Sequence, residues 1–226
     1  HPHIGLSTFS YLFAGSMQHR DSLGNDIVIG PGTVNLMTAG SGIAHSERSD
    51  SESRANISQL FGIQSWLALP RAMEETAPSF DRYGESSLPQ FSDHGIEGRG
   101  LLGEWLGLKS LVSFPWDSLY VDLKMSQHSA IQIPKQYQER AIYSAQGALE
   151  IDGIRYPESE LLILAPGQEV SVVAPLGARV LVFGGEPLDG PRHLWWNFVS
   201  SDQERIEQAK ADWVDGQFAQ VPGDSE

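Results

Sequence analysis

HPHIGLSTFSYLFAGSMQHRDSLGNDIVIGPGTVNLMTAGSGIAHSER, residues 1–48, holds most of what this 226-residue chain says about its architecture and its chemistry. Within it TFSYLFAG (8–15), SMQHR (16–20), IVIGPG (27–32) and TVNLMTAG (33–40) read as short strands, each cut by Gly, Asn or Pro turns. Short antiparallel strands at this spacing predict a barrel or sandwich.

The same stretch contains two pairs of potential metal ligands with one spacing: His1 with His3, and His45 with Glu47. Side chains alternate across a strand, so residues i and i+2 project to one face, about 6.5 to 7 Å apart along the chain. Two such strands side by side converge four donors on one point. Three imidazoles and a carboxylate suit Fe(II) and also accept Mn, Co, Ni, Cu or Zn. Four protein ligands in an octahedral shell leave two positions open, enough for a bidentate substrate or for one substrate atom and dioxygen. HPH alone also fits a surface His pair, and at a mature N-terminus His1 would chelate copper through its amino group and ring. The HSE segment after PGTVNLMTAGSGIA has no role in either alternative. A Pro-Gly turn, a strand, a Gly-rich turn and then a His is the layout by which a hairpin lays the second pair beside the first.

Working outward, RSDSESR (48–54) reads as a solvated loop and SQLFGIQSWLALP (58–70) as an apolar segment. Residues 71–100 hold Pro and Gly clusters and scattered acids without a sustained period, which predicts a long loop or connection. Strands resume at LLGEWLGL (101–108), SLYVDLKM (118–125) and between Ala141 and Gly185. Tyr11, Gly15, Gly30, Pro31 and Gly32 punctuate the first half in the order in which Tyr143, Gly147, Gly153, Pro166 and Gly167 punctuate the second, which predicts two related β-domains. At the end Ser201 and Glu204 read as a capping box, with Ile206, Ala209, Lys210 and Trp213 on one stripe before Gly216. This predicts a terminal amphipathic helix of about 12 residues, packed on the β-structure with Trp195 and Trp196 as its apolar anchor. His19 is expected to be exposed in a hairpin, His94 to sit in the long loop, and His128 to lie in a turn. With no HxH in the second half, its domain is expected to be metal-free.

Fifteen Lys and Arg against 29 Asp and Glu give a formal charge of −14, and no basic patch interrupts the acidic field, so no direct nucleic-acid binding is expected. With no Cys, disulfides, thiolate nucleophiles and sulfur metal sites are excluded. No apolar run approaches the ~18 residues of a membrane span and the start lacks a signal-peptide pattern, so a cytoplasmic protein without membrane contact is expected.

The quoted stretch resembles the N-terminal motif of the pirin family, in the cupin superfamily, and the likeness continues through GIQSWLALP (62–70), GEWLGLKS (103–110), SLYVDLKM and GGEPL (184–188). The resemblance implies a bicupin: two antiparallel β-barrel or jelly-roll domains, 1–110 binding metal and 111–226 without it, closed by a short C-terminal helix. It implies one non-haem iron per chain, held by His1, His3, His45 and Glu47. Several pirins oxidise quercetin with dioxygen, while eukaryotic members act as nuclear transcriptional cofactors. Residues and resemblance together lead to a dioxygenase of quercetin-type flavonols, with Glu47 as ligand and general base. A metal-dependent regulator that docks a protein partner without catalysis needs the same ligands. Ile4 and Ser7 depart from the usual HPHRGFET, where Arg and Glu stand, and are expected to alter substrate preference or pocket electrostatics. Family members also extend beyond both ends of this chain, so it reads as a piece of a longer protein.

Overall fold

The computed structural model describes residues 1–55 and 59–224. It divides the chain into two units, His1–Glu85 with Leu188–Glu226, and Ser86–Pro187. Both are built almost entirely from antiparallel strands.

The first unit contains β1 (Pro2–His3), β2 (Leu6–Ala14), β3 (Met17–Asp21), β4 (Asp26–Ile29), β5 (Val34–Thr38), β6 (Ile43–Arg48), β7 (Phe61–Ala68) and β8 (Ser79–Tyr83). They form two four-stranded sheets in the orders β1-β6-β3-β4 and β7-β2-β5-β8. A short helix α1 (Ser51–Ala55) follows β6, where a loop was expected, because the Asp50 carboxylate accepts the Ser53 N–H at 2.8 Å and starts a helical turn. Gly5 turns the chain from β1 into β2 at φ +66, with the Val199 carbonyl so close that a Cβ would lie 1.9 Å from its oxygen. Only glycine satisfies both conditions. Gly40, at φ +52 and equally close to the Thr76 carbonyl oxygen, makes the turn that delivers β6.

The interior of this unit is not uniformly apolar. The paired rows Trp66–Thr8–Met37–Phe80 and Gln64–Ser10–Asn35–Arg82 run across the β7-β2-β5-β8 sheet. Thr8, Ser10 and Asn35 are buried, polar side chains where a packed core would carry aliphatics.

The second unit contains β9 (Gln90–Asp93), β10 (Ile96–Leu102), β11 (Glu104–Trp105), β12 (Leu108–Lys109), β13 (Ser118–Met125), β14 (Ser129–Ile133), β15 (Glu139–Gln146), β16 (Leu149–Ile151), β17 (Ile154–Tyr156), β18 (Leu161–Leu164), β19 (Val170–Ala174) and β20 (Ala178–Gly185). A six-stranded sheet, β18-β15-β20-β13-β10-β9, pairs with a four-stranded one, β14-β19-β16-β17. Residues of both sheets build one core, with Val121, Leu123, Ile133, Ile142, Val172 and Val182 all fully buried. Aliphatic side chains fill the space here.

The chain ends in β21 (His193–Trp195), β22 (Phe198–Ser200) and α2 (Gln203–Val214), all in the first unit. The helix docks through Ile206 and Ala209 on Phe198 and Ile4. Trp196 meets Trp213 with ring centroids 6.0 Å apart, and the Lys210 ammonium lies 4.8 Å over Trp195, so the tryptophan pair does anchor the helix. The cap is shifted by one residue from the expected Ser201–Glu204 box. Asp202 is the N-cap and accepts the Glu204 N–H at 2.9 Å, because Ser201 is committed to Glu74 through its N–H and its hydroxyl, both at 2.9 Å.

Two further expectations differ from the structure. Residues 71–100 contain β8, β9 and much of β10 in place of a long loop, because Pro78, Gly84, Pro89 and Gly95 cut the segment into strands too short to show a period. The division between units falls at Glu85 and Ser86 rather than after residue 110, since β10 pairs with β13 along its length and so belongs to the second sheet system. Among the described residues neither unit closes into a barrel: each is built on a pair of larger sheets, with β11-β12 and β21-β22 as two-stranded additions, the jelly-roll form of the expected bicupin. Among the described residues no helix is long and apolar enough to cross a membrane.

Candidate metal centre

The backbone brings His1, His3 and His45 together, as the spacing of the candidate ligands requires. In the antiparallel ladder of β1 and β6, Pro2 faces Ala44 and His3 faces Ile43. One step further, the His1 amino group donates to the His45 carbonyl and the His45 N–H donates to the His1 carbonyl, each at 2.9 Å. Alternation then sends the rings of His1, His3 and His45 to one side. The His45 Nε2 lies 2.8 Å from the His1 Nε2 and 3.0 Å from the His3 Nε2.

A neutral imidazole nitrogen offers either one N–H or one lone pair, so the His45 Nε2 cannot satisfy both neighbours as a hydrogen-bonding partner. A shared cation can satisfy all three. Donors at right angles on a metal with bonds of about 2.1 Å lie about 3.0 Å apart, which matches both spacings. Burial pushes the His3 imidazole down to about 4 and, with His3 and His19 facing it, pushes His45 down to about 2. The two buried rings are therefore neutral near neutral pH, the form that binds metal. The residues present fit a transition metal.

Glu47 stands slightly apart. Its carboxylate gathers with His45 and His19, one donor atom from each lying within 4.8 Å of the others, whereas the other such triad is His1, His3 and His45. Glu47 Oε1 accepts from the Gln64 side chain at 2.6 Å, and Gln64 also donates to Ser10 at 2.9 Å. Burial raises the Glu47 pKa against the opposing effects of Gln64 and His19.

His19 corrects the sequence reading. It was expected to be exposed, yet it is 2 % accessible and bonded through Nε2 to the fully buried Asp21 at 3.1 Å. In the β3–β6 ladder His19 lies directly opposite Glu47, and Asp21 opposite His45. The signal was present: His19 and Asp21 share the i, i+2 spacing that singled out HPH and HSE. Of the other three histidines, His128 lies as expected in an exposed turn at φ +61, His94 at φ +44 lies in an exposed turn joining β9 and β10 rather than in a long loop, and His193 is exposed in β21. Among the described residues both ligand triads lie in the first unit.

Aromatic rings flank the histidines. Trp66 meets the His3 ring edge-on at 5.5 Å and Phe80 lies 4.6 Å from the His19 ring. A pocket of about 790 Å³ is lined by His1, His45, Glu47, Trp213 and Phe218, and a second of about 240 Å³ by Ser10, Glu47, Ile63 and Gln64.

The pirin family model matches residues 1–67, and the model of the pirin C-terminal cupin domain matches residues 120–219. A pirin-like protein of Caulobacter vibrioides is 45% identical over 96% of this chain and 75% of its own length. The chain belongs to the pirin family. The mouse pirin is 34% identical over 94% of the chain and 74% of its own length. A solved structure of quercetin 2,3-dioxygenase from Acinetobacter baumannii superposes with a TM-score of 0.92 at 34% identity, covering 100% of this chain and 75% of that one. Within this pirin, the departures from HPHRGFET fall outside both ligand triads. Ile4 is buried against Phe198 on the side away from His3, and the Ser7 hydroxyl bonds Thr38 at 2.9 Å.

Proposed function

We propose that this pirin is a metal-dependent dioxygenase of quercetin-type flavonols, holding one transition metal per chain, iron(II), on His1, His3, His45 and Glu47. The observation that supports this most is the convergence of three imidazole Nε2 atoms on one point, with a half-buried carboxylate beside them and open space in front. The metal, when bound, supplies Lewis acidity toward a phenolic oxygen and a redox partner for dioxygen.

The chain's own residues have three tasks. Glu47, whose Oε1 is held by Gln64, takes the proton of the flavonol hydroxyl, and burial makes its carboxylate a stronger base than an exposed one. Trp66, exposed on the face of β7 next to His3, offers an aromatic surface for the flat rings of the substrate. The pocket of about 790 Å³ beside His45 and Glu47 is in the size range of small-molecule sites.

Oxygen uptake by the iron-reconstituted protein against a panel of flavonols tests the reading. Consumption with at least one 3-hydroxyflavone, abolished by removing the iron, is the expected result. Folded, iron-loaded protein that consumes no oxygen with any of them would favour the regulatory reading, in which the metal-loaded protein docks a partner.

A further inference from the structure

Asp21 is unusually well anchored. Its Oδ1 accepts the backbone N–H groups of Leu23 at 3.0 Å and Asn25 at 3.1 Å, and its Oδ2 accepts the Asn25 side-chain amide at 2.8 Å and His19 Nε2 at 3.1 Å. A carboxylate only accepts, so Nε2 is the ring nitrogen that carries hydrogen. Phe80 lies against the ring at 4.6 Å, and the His45 ring is 5.3 Å away. His19 thus has its tautomer set by one fixed group and its plane by another.

We propose that His19, held by Asp21, is a positioning residue of the metal centre: it fixes where the Glu47 carboxylate and the His45 ring stand, without itself serving as a ligand. The ladder places His19 across from Glu47, and its donor atom gathers with those of Glu47 and His45, while His1 and His3 form the other triad. A metal seated on the three converging Nε2 atoms therefore has His19 beside its ligands rather than among them. Partners of this kind orient ligands and tune affinity, and their loss weakens metal binding by about 10- to 100-fold. The inference rests on the assignment of His1, His3, His45 and Glu47 as ligands.

Cobalt(II) binding by the full chain tests it, read as dissociation constant and visible spectrum. His19→Phe keeps a ring against Phe80, and His19→Asn keeps polarity but lacks the atom that reaches Asp21. Both are expected to bind cobalt about 10- to 100-fold more weakly, with the band shape of the wild type because the donor set is unchanged. His19→Gln restores an N–H at the right reach and recovers most of the affinity. Unfolding midpoints of the metal-free variants separate this effect from lost stability. Wild-type affinity in the variants that fold would overturn the proposal. A cobalt spectrum altered toward fewer donors would make His19 a ligand and overturn it too. Wild-type protein that binds no cobalt would overturn the ligand assignment itself and the inference with it, a result distinct from the other two.

Discussion

Glu47→Gln is expected to lower flavonol turnover by at least ~100-fold, the low end of what a general base contributes. The substitution keeps an oxygen of similar reach and a hydrogen-bonding partner for Gln64, but it removes both charge and basicity. Metal is expected to stay partly bound through the three imidazoles, so metal content has to be measured beside the rate. A variant that retains its metal and turns over at the wild-type rate would exclude Glu47 as the base.

Phe198→Ala destabilises the first unit by about 3–5 kcal/mol, the usual cost of emptying a buried aromatic site. Phe198 is fully buried, packs on Ile4, Ile206 and Ala209, and stacks on Phe218 with ring centroids 5.8 Å apart. Its backbone also bridges to that of Ile4, the residue after His3. The loss therefore loosens the strand that presents His3, and metal affinity falls together with the urea midpoint. A shift below about 1 kcal/mol would mean that the terminal helix contributes little to the site.

The gathering of His1, His3 and His45 was readable because the period of a strand is rigid. Once HPH and HSE are taken as strands, alternation puts each pair on one face, and only the register remains to be supplied by folding. His19 was misread for a related reason. In MQHRD both faces carry polar residues, so alternation separates Met17, His19 and Asp21 from Gln18 and Arg20 without saying which set faces inward. The missed strands β8 and β9 have four or five residues, below the length at which a period declares itself. The shifted helix cap depends on Glu74, 127 residues before Ser201 and bonded to its N–H and hydroxyl, a contact that no local pattern contains. The hold of Gln64 on Glu47 is equally non-local.

The contrast between the interiors of the two units has a chemical meaning. In the first, Thr8, Ser10, Asn35 and the histidines occupy positions that aliphatics would fill at lower desolvation cost. In the second, Val121, Leu123, Ile142, Val172 and Val182 do fill them. Gln64 joins the buried Ser10 to Glu47, so part of this polar interior supports a candidate ligand.

Elemental analysis of the purified chain and of His45→Ala is the most direct measurement, because the His45 Nε2 is the atom on which both neighbouring imidazoles converge. One transition metal per wild-type chain, lost in the variant while the fold is retained, is the expected result. Two metals per chain, or a His45→Ala protein that keeps its full complement, would contradict it.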